Sequence, residues 1–141
     1  ILRDQLGSIV LPNIGAQSKE VALATPEGNL HELAIIIAEI LCRSKRIPTR
    51  YLGATHPAEC LGQALSAMKT PNLLLGAISS DQWDYKKHVV DYLKELDKFL
   101  IHPTNVLLGG GLPIKFPKFK NILNVIIMPG FEDLEKWLLE R

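Results

Sequence analysis

The run Thr25-Pro-Glu-Gly-Asn-Leu-His31 sets a histidine just after a tight turn and just before a long apolar stretch. A histidine in the first turn of a helix faces the positive end of the backbone dipole, which disfavours imidazolium. The neutral ring is the form that ligates metals. A polar residue near a helix start is the plainer account of His31 from position alone, and the ligand reading stays open beside it. Asn29 and Glu32 have the spacing of a capping box, with an amide in place of the usual hydroxyl. Three further places carry residues that suit a ligand: Thr55-His56, Ser79-Ser80 and Gly109-Gly110-Gly111. The serines can donate to a ligand or cap the next helix. The glycines leave room for a ligand or a second backbone, or simply make a strand-to-helix turn. No nucleophile with its base and no acid–base pair stands out. Gly109-Gly-Gly-Leu-Pro lacks the Gly-Lys-Ser/Thr end of a phosphate loop. No catalysis of its own is expected.

What positions these residues is an alternation of short β-like and longer helical runs. Strands are expected at 20–25, 50–53, 72–79, 104–108 and 122–128. The run at 72–79 is continuously apolar, as for a strand covered on both faces. Helices are expected at about 30–46, stopped by Pro48, and at 57–69, with Pro57 at its first position. A third is expected at 83–99, capped by Asp81. A last helix has Phe131, Leu134, Trp137 and Leu138 on one face. Prolines 113 and 117 allow only a short helix between 113 and 120. Strict βα alternation implies an α/β fold, a five-stranded doubly wound parallel sheet of flavodoxin-like or Rossmann-like order 2-1-3-4-5 with helices on both faces. Ligands of such sheets bind beyond the carboxyl ends of the strands, at the switch point between the first and third. His31, Thr55, Ser79 and Gly109 all fall at that edge. Residues 1–18 read as a linker and the end of a preceding helical segment, and 19–141 as the α/β domain.

At 141 residues the chain has the size of one domain, able to bury about two-thirds of its unfolded surface. Hydrophobic residues make up 47% and charged ones 22%, a globular balance. Sixteen basic residues against fifteen acidic ones give a net charge of +1, too little for a nucleic-acid footprint. Cys42 and Cys60 are too few for a disulfide framework and read as reduced, buried thiols of a cytoplasmic protein. The longest apolar run, 33–42, is broken by Glu39 and is too short to span a bilayer. With no initiator Met and no signal peptide, the chain reads as a piece of a longer protein.

The segment Ala22-Leu-Ala-Thr-Pro-Glu-Gly-Asn-Leu-His-Glu-Leu-Ala34, followed by Tyr51-Leu-Gly-Ala54 and Pro57-Ala-Glu59, resembles the cobalamin-binding domain of light-responsive MerR-type transcriptional regulators. The likeness covers residues 19–141. The wider cobalamin-binding family carries an Asp-x-His-x-x-Gly signature, a Ser-x-Leu stretch and a Gly-Gly pair. They correspond here to 29–34, to the segment around Ser79, and to Gly109-Gly110. The resemblance implies that His31 is the lower axial ligand of cobalt, in place of the cofactor's own base. It also implies that the displaced nucleotide tail is lined by Ser79, Ser80, Gly109, Gly110, Gly111 and Met128 to Gly130, Pro129 included. Asn29 and Glu32 would flank the ligand, and Thr55 and His56 would stand near the corrin edge, unless His56 only caps its helix. His88 and His102 read as surface residues.

Four departures from the family pattern matter. Asn29 replaces an acid that orients the histidine, so the ring would be a less basic ligand. Ala34 replaces a glycine, Thr55-His56 replaces an acidic turn, and Ser80 follows Ser79 directly. The function implied is a cobalamin sensor, holding adenosylcobalamin or methylcobalamin, whose self-association changes on binding. DNA would be reached only through a domain outside this chain, and no membrane is involved. Two alternatives are a corrinoid carrier domain of a methyltransferase or mutase, and a diverged domain of this fold that binds another ligand.

Overall fold

The structure is a computed structural model that describes residues 20–140. The linker and helical segment expected at 1–18 lie outside the described residues. Strand β1 (Val21–Pro26), helix α1 (Glu32–Ser44), β2 (Thr49–His56), α2 (Ala58–Met68), β3 (Asn72–Gly76), α3 (Tyr85–Phe99), β4 (Thr104–Gly109), β5 (Ile122–Met128) and α4 (Phe131–Leu139) follow in that order. All neighbouring strands pair in parallel, in the order β2-β1-β3-β4-β5. This is the expected flavodoxin-like α/β sheet, with its switch point between β1 and β3.

The strands read as continuous apolar runs because the period of two sends alternate residues to two covered faces. Leu73, Leu75, Val106 and Leu108 join Leu61, Leu65, Val89, Leu93 and Leu96 in a core under α2 and α3. Val21, Leu23, Leu74 and Leu107 join Ile35, Cys42, Leu134 and Trp137 in a second core under α1 and α4. On the first side α2 and α3 approach closely at Gly62. A Cβ there would sit 2.6 Å from Phe99 Cβ.

Side-chain amides pin the register at the amino edge of the sheet. Asn105 Nδ2 donates to Asn72 Oδ1 at 3.0 Å, and Asn124 Nδ2 donates to Asn105 Oδ1 at 2.9 Å. At the same edge the Asp97 carboxylate accepts from the backbone N–H groups of Lys120, Asn121 and Ile122, tying α3 to the start of β5.

Several local expectations are corrected. No helix forms between 113 and 120. Pro113 and Pro117 remove two backbone donors, and Ile114, Phe116 and Phe119 instead pack along the first core in extended chain. Asp81 does not cap α3. Ser80 and Trp83 bond each other's backbones, Trp83 is buried, and the helix starts after Asp84, whose carboxylate accepts from Lys87 N at 2.9 Å. Pro57 is the N-cap of α2 rather than its first residue. Cys42 is buried but Cys60 is exposed, because α2 turns Leu61, Leu65 and Ser66 inward. Phe131 is 41% exposed, while Leu134, Trp137 and Leu138 of its helix are buried. His102 is half-buried, its Nε2 3.0 Å from the Leu65 carbonyl. His88 is exposed, as expected. Among the described residues no helix is long and apolar enough to cross a membrane.

Candidate ligand-binding site

Two loops at the carboxyl edge are sewn together by threonines. Thr25 Oγ1 donates to Asn29 O at 2.6 Å and accepts from Thr55 N at 2.7 Å. Thr55 Oγ1 accepts from Gly28 N at 3.0 Å. Holding this position puts Thr55 at φ 56°, the left-handed region that β-branched residues avoid. Thr55 thus shapes the first loop, and it is exposed.

Asn29 is completely buried and uses both ends of its amide. Oδ1 accepts from His31 N at 3.0 Å, and Nδ2 donates to Ile78 O at 2.9 Å. Because one partner is an N–H and the other a carbonyl, only one orientation of the amide serves both. The capping box expected with Glu32 is not formed. His31 is the N-cap of α1 and makes no side-chain cap bond. The Glu32 carboxylate accepts a hydrogen bond from the Tyr51 hydroxyl. Burial, then that bond to Glu32, pushes the Tyr51 phenol up to about 12.

These anchors leave His31 exposed at the head of α1, its backbone fixed and its ring without a hydrogen bond among the described residues. Asn29 therefore positions the backbone of His31 and not its ring. One turn further along α1, Ala34 lines an apolar crevice of ≈ 90 Å³. Its other walls include Gly76, Ile78, Gly109, Gly110, Pro129 and Gly130, from the ends of β3, β4 and β5. His31 itself precedes the first helical residue, three positions before Ala34, and is not one of the walls. Ile78 is its lid: a Cβ on Gly110, which has φ +75°, would lie 2.3 Å from Ile78 Cγ1.

Of the residues singled out in the sequence, Gly109, Gly110, Pro129 and Gly130 line the crevice together, with Met128 beside them. The others do not line it. Ser79 Oγ accepts from Tyr85 N at 2.9 Å, at the start of α3. Ser80 Oγ is enclosed and has no hydrogen-bond partner among the described residues. Gly111 is buried, where a Cβ would press on Leu108 and the Tyr85 hydroxyl. His56 turns back along its own strand, Nε2 2.7 Å from Leu52 O, and its carbonyl accepts from Tyr92 Oη at 2.6 Å. The walls Gly76, Ile78 and Phe131 were not singled out in the sequence. Gly76 sits inside a strand run that reads as plain core, although a glycine interrupting such a run is itself a sign of close approach.

A wider, shallower groove of ≈ 520 Å³ lies between α2 and α3, bordered by Glu27, Glu59, Asp91 and Glu95. None of the residues expected at a ligand lines it, although His88 and the segment Pro57-Ala-Glu59 do. Among the described residues no three His, Cys, Asp or Glu side chains are grouped to hold a metal ion. No family model matches this chain, and no curated protein matches it.

Proposed function

We propose that the chain is a cobalamin-binding sensor domain of a transcriptional regulator, with His31 as the lower axial ligand. One observation carries the reading: an exposed histidine caps the head of α1, three residues before Ala34, and Ala34 helps wall an apolar crevice with Gly76, Gly109, Gly110 and Gly130. The residues fit the group in kind. A lone exposed nitrogen donor suits a cobalt whose equatorial ligands come with the corrin, and small apolar walls suit a nucleotide tail.

The crevice at ≈ 90 Å³ is below the ~300–1,000 Å³ of ordinary small-molecule sites. Entry of the tail therefore requires Ile78 to leave Gly110. Ile78 is bound through its carbonyl to Asn29, whose Oδ1 holds the His31 N–H. Movement of the lid and ligation at His31 are thus joined through one amide. Bound there, cobalamin would supply the cobalt centre whose upper ligand is sensed. The chain would supply the lower ligand and the apolar slot.

The test is an absorption spectrum of the chain mixed in the dark with hydroxocobalamin or adenosylcobalamin and then gel-filtered. Wild type is expected to retain corrin, and His31→Ala to lose it or to show a shifted corrin band. Ile78→Ala, which widens the slot, is expected to retain more. Retention unchanged by His31→Ala would remove histidine ligation from the reading. The crevice volume favours a second reading, a diverged domain of this fold that takes a smaller apolar ligand. In that case corrin passes through the column unbound with every variant.

A further inference from the structure

Helix α1 is apolar almost all the way round. Ile35, Ala38 and Cys42 are buried in the core. On the far side Leu33 and Ile40 are 70% and 62% exposed, with Ile36 and Ile37 also open, and Leu30 extends the strip into the preceding loop. A helix that is hydrophobic on every side belongs inside a structure, and a contiguous apolar patch on a surface marks a contact. We propose that this face is a two-fold interface with a second copy of this chain, α1 packing antiparallel against α1. The proposal does not rest on cobalamin binding.

An isologous interface needs a patch that matches its own reverse. The strip does: with the two-fold axis between residues 36 and 37, Leu33 opposes Ile40 and Ile36 opposes Ile37. The charges of α1 agree with this register. Glu32, whose carboxylate also accepts from Tyr51 on β2, and Arg43 stand at opposite ends of the helix, so the antiparallel arrangement brings the Arg43 end of one copy to the Glu32 end of the other. Glu39, the only other charge on α1, accepts from Thr49 Oγ1 at 3.0 Å, directed toward β2 and off the strip. The antiparallel arrangement also opposes the two helix dipoles. Three of the strip's side chains are isoleucines, whose χ1 is already restricted in a helix, so little freedom is lost on contact. The strip amounts to roughly 400 Å² per copy, which is small for a specific interface. A weak dimer is expected, with a dissociation constant on the order of 10–100 µM.

Sedimentation velocity on the full chain, from low to high micromolar concentration, should show a monomer–dimer equilibrium. Ile40→Glu should shift it at least tenfold toward monomer, with far-UV circular dichroism and melting unchanged. Cross-linking reads the register, with Cys60→Ser as background because Cys60 is exposed. Ile37→Cys lies near the two-fold axis and should form a disulfide with its own copy. Leu33→Cys and Ile40→Cys should cross-link only when mixed, since like positions lie about 10 Å apart along the axis, beyond disulfide reach. A monomer at every concentration overturns the proposal and assigns the strip to another occupant. A dimer indifferent to Ile40→Glu, or one that Ile37→Cys fails to lock, overturns it as well.

Discussion

Asn29 shows how one side chain can hold a site without touching a ligand. The sequence presents it in place of an acid, as a weaker partner for the histidine ring. In the fold it is a buried brace between the first loop and Ile78, the second residue after β3, 49 positions away. An acid cannot do this, because the Ile78 carbonyl needs a donor and a carboxylate has none. Asn29→Asp should therefore destabilise the chain by about 2–3 kcal/mol, from a lost buried bond and an unsatisfied carbonyl. Asn29→Ala, which strands both backbone groups, should cost a similar amount. Urea denaturation of the three proteins checks this. An Asn29→Asp chain as stable as wild type would mean that the brace is not needed. That long-range bond was not legible in the sequence, which gives local spacing and says nothing of what Ile78 faces.

At the scale of elements, the strands were legible and the helix starts were not. Residues 122–128 were expected as a strand and form β5 with those bounds, because an apolar run flanked by turns has one sensible length. The start of α3 was missed by two residues, since an aromatic at a helix start reads as part of the helix's apolar face. Trp83 is instead packed in the core, its ring 6.4 Å from that of Tyr85. The cap consequently moves from Asp81 to Asp84. Asp84→Ala should lower stability by about 1 kcal/mol, the usual worth of an N-cap carboxylate. Asp81→Ala, at an exposed position with no hydrogen bond among the described residues, should stay within ~0.5 kcal/mol of wild type. Equal losses from the two would place the helix start back at the sequence-based position. The exposure of Cys60 was within reach of the sequence. The inward positions of α2 follow one helical stripe, and Cys60 falls outside it. The candidate site was legible to the extent that topology directs four loops to one edge. Which residues line the crevice depends on packing between elements, and the four that converge there come from the ends of β4 and β5.

For the molecule as a whole, its three tyrosines make alkaline pH the revealing variable. Burial, then the bond to Glu32, holds Tyr51 up at about 12. Burial raises Tyr85 in spite of the bond it donates to the Leu112 carbonyl. Burial, then the nearby negative charges of Glu27 and Cys60, raises Tyr92. The three hydroxyls brace different parts of the fold: β2 against α1, α3 against the chain after β4, and α3 against the end of β2. A phenol whose pKa in the fold exceeds its ordinary value of 10.0 is held in the protonated form. Its stabilisation is complete below pH 10 and is lost as pH rises toward the folded value, because the unfolded chain releases that proton first. Phenolate absorbance near 295 nm should accordingly stay low in the native chain at pH 10, where free tyrosine is half ionised. It should then rise together with loss of far-UV ellipticity as the pH climbs toward 12. Tyr51→Phe removes the tyrosine whose folded value is set at about 12 and should flatten the decline between pH 10 and 12 without abolishing it. Three phenols titrating at pH 10 with the ellipticity intact would show that these hydroxyls do not brace the fold.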